Sequence, residues 1–166
     1  MRAPTIRPYL ESDLAACLSL FGSNCPPYFD PSERADYAQF LSDPDDRGSY
    51  FVLELGGEVL ACGGIFVKPD GVGGLSWGMV RQDRHRQGLG TRLTDFRLEQ
   101  LRRLPGVRPG VREVQIDTSQ HTEAYYARHG FVVTSRREDG FAPGLHEIKM
   151  SLHLPPAHRS RNASVP

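Results

Sequence analysis

Residues 50–67, YFVLELGGEVLACGGIFV, constrain the fold more than any other stretch. Two runs rich in β-branched and aromatic residues flank Gly56-Gly57, a two-residue turn whose positions need positive φ. The pattern predicts a hairpin. PDGVGG at 69–74 makes a second turn and LSWGMV at 75–80 a third strand, so residues 50–80 read as an antiparallel meander. The period then changes. From Leu89 the apolar positions Leu93, Phe96, Leu101 and Leu104 follow a helical stripe, and Leu98 falls off it, which gives this helix neighbours on two sides. PGVRPG at 105–110 ends the helix.

The flanks complete the order of elements. Thr5–Pro8 reads as a first strand, and Glu11–Gly22 as a helix with Leu14, Leu18 and Phe21 at helical spacing and Ser12 as its N-cap. SNCPPYFDP breaks the chain, and Ser32–Leu41 is a second helix with Ala35, Ala38 and Leu41 at three-residue steps. After the meander and its helix come a strand at VREVQID (111–117) and a short helix at TEAYYARHG (122–130), stopped by Gly130. FVVTS (131–135) and LHEIKMSL (145–152) close the chain as strands. The order β-α-α-β-β-β-α-β-α-β-β is that of a mixed α/β domain, with a mainly antiparallel central sheet flanked by helices. One domain over 3–154 accounts for it, and PPAHRSRNASVP at 155–166 reads as a disordered tail.

Several classes are excluded. No apolar run approaches the roughly 20 residues that span a bilayer, and the basic start lacks the apolar stretch of a signal peptide; a cytoplasmic protein is expected. Cys17, Cys25 and Cys62 are odd in number and widely spaced, which suggests neither a disulfide framework nor a zinc site. His121 and His129 are eight apart, not the spacing of a helical metal pair, so no metal is expected. Cys62, on an apolar strand, reads as core. Charge is uneven: residues 1–60 carry four Arg and ten acids, net −6, and residues 81–103 carry seven Arg and three acids, net +4. An acidic half suits a cationic substrate and a basic segment an anion.

RHRQGLGTRL at 84–93 places that basic segment at a helix start. A helix N-terminus presents unpaired amides and about half a positive charge, and Gly88 and Gly90 let a bulky anion reach them. A dinucleotide fingerprint would need a third glycine where Leu93 stands, and no Walker loop occurs. No aromatic-rich basic face accompanies the arginines, so nucleic acid is not the expected partner.

VRQDRHRQGLGTRL resembles the cofactor motif of the GNAT superfamily of N-acetyltransferases, Arg/Gln-x-x-Gly-x-Gly/Ala. Gly88 and Gly90 stand on its two small positions, and His85 stands where Arg or Gln is usual. TSQHTEAYYARHGF resembles a second family block: Tyr126, Gly130 and Phe131 match its spacing, and Ser119 falls near its Asn position. The resemblance spans residues 4–153. It implies a GNAT-like fold and transfer of the acetyl group of acetyl-CoA to a primary amine of a small molecule or peptide. By the same resemblance the pyrophosphate would sit on amides from Arg86 through Gln87, Gly88, Leu89 and Gly90 to Thr91, with His85 also in the cofactor site, and the pantetheine arm would pair with the backbone of Met79 and Val80. Tyr126, in preference to Tyr125, would protonate the leaving thiolate. The base is left open among Glu54, Asp117, His121 and Glu123. The acceptor would meet Tyr28, Phe29 and Asp117, with Asp30, Glu33 and Asp36 near. Alternatives are a protein N-terminal or lysine acetyltransferase and a non-catalytic acyl-CoA sensor. No membrane partner is expected, and the closing strands leave a homodimer open.

Overall fold

In the computed structural model, which describes residues 2–104 and 110–156, Gly56 and Gly57 take φ of 62° and 85°. They join β2 (Ser49–Leu55) to β3 (Glu58–Val67), and β4 (Gly73–Val80) completes the meander. β1 (Thr5–Pro8) pairs with the free side of β2. The remaining strands are β5 (Glu113–Thr118), β6 (Val132–Ala142) and β7 (Leu145–His153), and the seven-stranded sheet runs β1-β2-β3-β4-β5-β7-β6. Only β4 and β5 are parallel neighbours.

Alternation along the strands assigns each face its helices. Val52 and Cys62 pack under α1 (Leu14–Ser23) and α2 (Arg34–Ser42), with Cys17, Leu20, Phe21, Tyr37 and Phe40. Leu53, Ala61 and Ile65 point the other way, onto α4 (Leu89–Arg102). There α5 (Glu123–Arg128) meets α4 through the Tyr125 and Thr94 hydroxyls, 2.8 Å apart. Leu98 is buried, because α4 packs on two clusters at once, Leu89 and Leu93 in one and Leu98 and Leu101 in the other.

Other details depart from the sequence reading. Ser12 does not cap α1; the Asp13 carboxylate accepts the Leu10 N–H instead, at 2.8 Å, and pairs with Arg7. The buried face of α2 is Tyr37, Phe40 and Leu41 while Ala35 is exposed, because the aromatic rings remove more apolar area from water. A short α3 (Pro44–Arg47) follows α2, started by the Asp43 side chain on the Asp45 N–H at 2.9 Å. β6 runs to Ala142 rather than stopping at Ser135; as an exposed edge strand its Arg136–Gly140 stretch carries no apolar alternation. α4 ends at Arg102, and most of the expected PGVRPG stop lies outside the described residues. So does residue 157 onward of the expected tail. Leu154 is buried, its N–H on the Arg112 carbonyl at 2.7 Å.

Candidate active site

β4 and β5 pair only at Gly73↔Val114 and Gly74↔Gln115. Beyond those two rows they part, and the β5 side of β4 from Ser76 to Val80 borders a cleft. Which backbone groups face it follows from register. Met79 opposes Cys62 and Val80 opposes Ala61, while the Arg81 N–H bonds the Leu60 carbonyl at 2.8 Å. Alternation of the antiparallel ladder then turns Met79 toward β3 and Gly78 and Val80 toward the cleft. The Met79 backbone, expected to meet the pantetheine, is thus committed to the sheet, and its side chain is buried under α1. The Val80 carbonyl accepts from Asn24 Nδ2 at 2.9 Å and from His85 Nε2 at 2.8 Å, which uses both lone pairs. Its N–H remains for a ligand. His85, expected beside the phosphates, ties the loop to its own strand.

A bulge shapes the middle of the cleft wall. The pairing steps from Cys62↔Met79 to Gly64↔Ser76, so Gly63 alone faces Trp77 and Gly78. Trp77 takes φ of 38°, a left-handed value costly for a bulky residue. Its ring packs on Tyr37 at 4.9 Å and Phe29 at 5.9 Å, and its carbonyl accepts the Tyr50 hydroxyl at 2.7 Å. Because the peptide is trans, that carbonyl turns the Gly78 N–H to the opposite side of the strand, toward the cleft.

The cleft leads to the start of α4. Arg86 and Gly88 have φ of 61° and 79°, and no side chain caps the helix. A Cβ on Gly88 would meet nothing within 4 Å. The first-turn amides at Leu89, Gly90 and Thr91 thus lack a side-chain cap and lie next in sequence to Arg86 and Arg92, a setting that suits an anion. Arg86, Gln87 and Thr91 are exposed; the Leu89 side chain is buried, so only its backbone can contribute.

The two tyrosines of α5 differ. The Tyr125 hydroxyl is held by Thr94 near Gly90, and burial pushes its pKa up. Half-buried Tyr126 stacks edge-on against Phe131 at 5.6 Å, and its hydroxyl makes no hydrogen bond among the described residues. Of the four base candidates, Glu54 pairs with Arg7 at 3.0 Å. Glu123 is held by Arg136, whose hydrogen bonds pull its carboxyl below the usual range. Asp117 is half-exposed, 3.3 Å from Lys149. His121 is exposed and shares the edge of Tyr28, ring to ring 6.1 Å, with His85 at 5.0 Å on Tyr28's other contact. These three rings bring the α1–α2, β4–α4 and β5–α5 connections together. Phe29 is a wall of the aromatic core, 5.2 Å from Phe21. Asp30 and Glu33 cap the turn before α2, Asp30 N–H to Glu33 and Ser32 N–H to Asp30, both at 2.9 Å. Two further residues escaped the sequence reading. Buried Asn24 holds Val80 through its side chain and the Tyr28 and Phe29 N–H groups through its carbonyl. Buried Arg97 lies behind Gly78. Polarity in an apolar setting is their only signal, and burial is not visible in one sequence.

The acetyltransferase (GNAT) family model matches residues 14–131. The chain belongs to the GNAT family. It is accordingly an acetyltransferase, and its acyl donor is acetyl-CoA. A GNAT-family protein from Desulfovibrio desulfuricans superposes with a TM-score of 0.76 at 19% identity, over 92% of this chain and 100% of that one. A ribosomal-protein-alanine N-acetyltransferase from Escherichia coli gives 0.73 at 21% identity, over 95% and 98%. YncA from Salmonella typhimurium, solved with its cofactor acetyl-CoA, gives 0.70 at 18% identity, over 98% and 99%. Identities this low show the GNAT fold alone. No curated protein matched the chain.

Proposed function

We propose that this GNAT protein acetylates a primary amine of a small molecule or peptide at the mouth of the β4–β5 cleft. One observation supports the reading: β4 and β5 part after two paired rows, beside a first turn of α4 that no side chain caps; in this reading the Gly78 N–H and the Tyr126 hydroxyl face the opening. In this reading the pyrophosphate lies on amides from Arg86 to Thr91, and the pantetheine runs past Val80. The Gly78 N–H would donate to the acetyl oxygen as it gains charge. An alkyl ammonium with a pKa of about 10.4 must lose a proton before it attacks. In this reading His121 or Asp117 would take it, directly or through water. Tyr126 would protonate the departing thiolate. Tyr28 and Phe29 would line the acceptor side, in a cytoplasmic enzyme.

The first test is coenzyme A release with polyamines, amino acids and peptides bearing a free N-terminus. Small amines as substrates support the reading. Tyr126→Phe should lower kcat about a hundredfold with acetyl-CoA affinity unchanged; unchanged kcat would remove Tyr126 from the acid role. A second reading, a protein N-terminus as acceptor, draws on a cavity of about 250 Å³ lined by Gln120, Arg136, Glu138, His146 and Ile148. Turnover confined to peptides would select it. Acetyl-CoA binding without turnover on any amine would leave the sensor.

A further inference from the structure

Arg97 sits in the middle of α4 and is 2% exposed. Its only hydrogen bond among the described residues is a long one, Nη1 to the Gly64 carbonyl at 3.4 Å, and its buried Nε has none. No carboxylate pairs with it there. A guanidinium without a counter-ion is among the costliest groups to bury, and an apolar side chain of similar length would fill the same space on the helix.

The sheet is shaped around this cation. A Cβ on Gly63 would lie 2.8 Å from Nη1, and one on Gly78 would lie 2.7 Å from Nη2. Those two glycines face each other across the β3–β4 bulge. The central sheet thus gives up two side chains at its most distorted point to admit a charge behind the Gly78 peptide. Tyr50 holds the Trp77 carbonyl from the opposite side. The bulge thus lies between the Tyr50 hydroxyl and the Arg97 guanidinium.

We propose that Arg97 is a positioning residue for acyl transfer: it fixes the Gly78 peptide and supplies the positive field in which negative charge develops. The inference rests on the acetyl-transfer reading above. As the amine nitrogen bonds to the acyl carbon, the carbonyl electron pair moves onto oxygen. It returns as the carbon–sulfur bond breaks, and sulfur leaves with that bond's pair until Tyr126 protonates it. The amine proton goes to the base at the mouth. Both transient anions form beside Gly78, where a buried cation acts with little screening by water. Burial lowers the pKa of nearby His129, which disfavours its charged form.

The test compares wild type with Arg97→Met, Arg97→Gln and Arg97→Lys for kcat, KM, acetyl-CoA Kd and Tm. The neutral variants should lose about tenfold to a hundredfold in kcat with unchanged acetyl-CoA Kd. Arg97→Met should keep or raise Tm, because an unpaired buried charge is gone. Arg97→Lys should recover part of kcat. Wild-type kcat in the neutral variants overturns the proposal, as does an Arg97→Lys variant no better than Arg97→Met. Unfolding of both neutral variants also overturns it, since Arg97 would then serve the fold. A wild type that binds no acetyl-CoA would instead sink the acetyl-transfer reading itself.

Discussion

Single side chains set the chemistry and part of the stability. Asp13 has a side chain only 7% exposed, yet it accepts two hydrogen bonds from Arg7, at 2.8 and 2.9 Å, and the Leu10 N–H. Arg7 above all holds its carboxyl below the ordinary value. The folded pKa is lower than the unfolded one, so this stabilisation is complete above the unfolded value and fades as pH falls through the folded value. Asp13→Asn should cost about 2 kcal/mol at neutral pH and flatten the acid limb of a Tm-against-pH curve; an unaltered acid limb would contradict this. Tyr125→Phe strands the buried Thr94 hydroxyl and should cost about 1 kcal/mol in urea unfolding. At this scale the sequence was readable where a motif placed the residue. Gly88, Gly90 and Tyr126 carry a spacing, and the structure puts the two glycines at the start of α4 and Tyr126 on α5. Asn24 and Arg97 carry none. Their roles come from partners 56 and 33 residues away in the chain, Val80 and Gly64.

Elements with a strong local period were legible. The Gly-Gly hairpin, the meander and α4 follow from alternation and helical spacing alone. β6 was half legible, because an edge strand with an exposed polar stretch loses the alternation that marks a buried face. The bulge in β4 was not legible: Gly63 and Gly78 read as ordinary strand glycines until Arg97 is seen behind them. The loop into α4 invites two contrasting substitutions. Gly88→Ala meets open space but forces a left-handed backbone, so it should cost about 1 kcal/mol of stability with only a small loss of acetyl-CoA affinity. Gly90→Glu places its Cβ 3.3 Å from the Tyr125 hydroxyl and adds negative charge at the helix start. Calorimetric titration should find acetyl-CoA binding abolished by it in a folded protein; retained micromolar binding would move the phosphates elsewhere.

Across the whole molecule, the α/β class and the placing of charge were readable, but the strand order was not a matter of pattern. β7 lies between β5 and β6 through pairings such as Ile116↔Met150, which no local period announces. The start of α4 is basic, with Arg84, Arg86 and Arg92, so donor binding should weaken as salt rises. Acetyl-CoA at about a hundred times its Kd should add about 2.7 kcal/mol of stability, read as a rise in Tm; no rise would contradict binding to the folded state.

The Val80 carbonyl is a single atom shared by two loops. Asn24 grips it on behalf of the Tyr28 turn, and His85 grips it on behalf of the glycine loop. If the glycine loop holds the donor and the Tyr28 turn the acceptor, as proposed, binding of one substrate should affect binding of the other. The donor should come first and leave last. Coenzyme A would then compete with acetyl-CoA but not with the amine, a pattern that steady-state product inhibition displays directly, and Asn24→Ala should blur it toward random arrival.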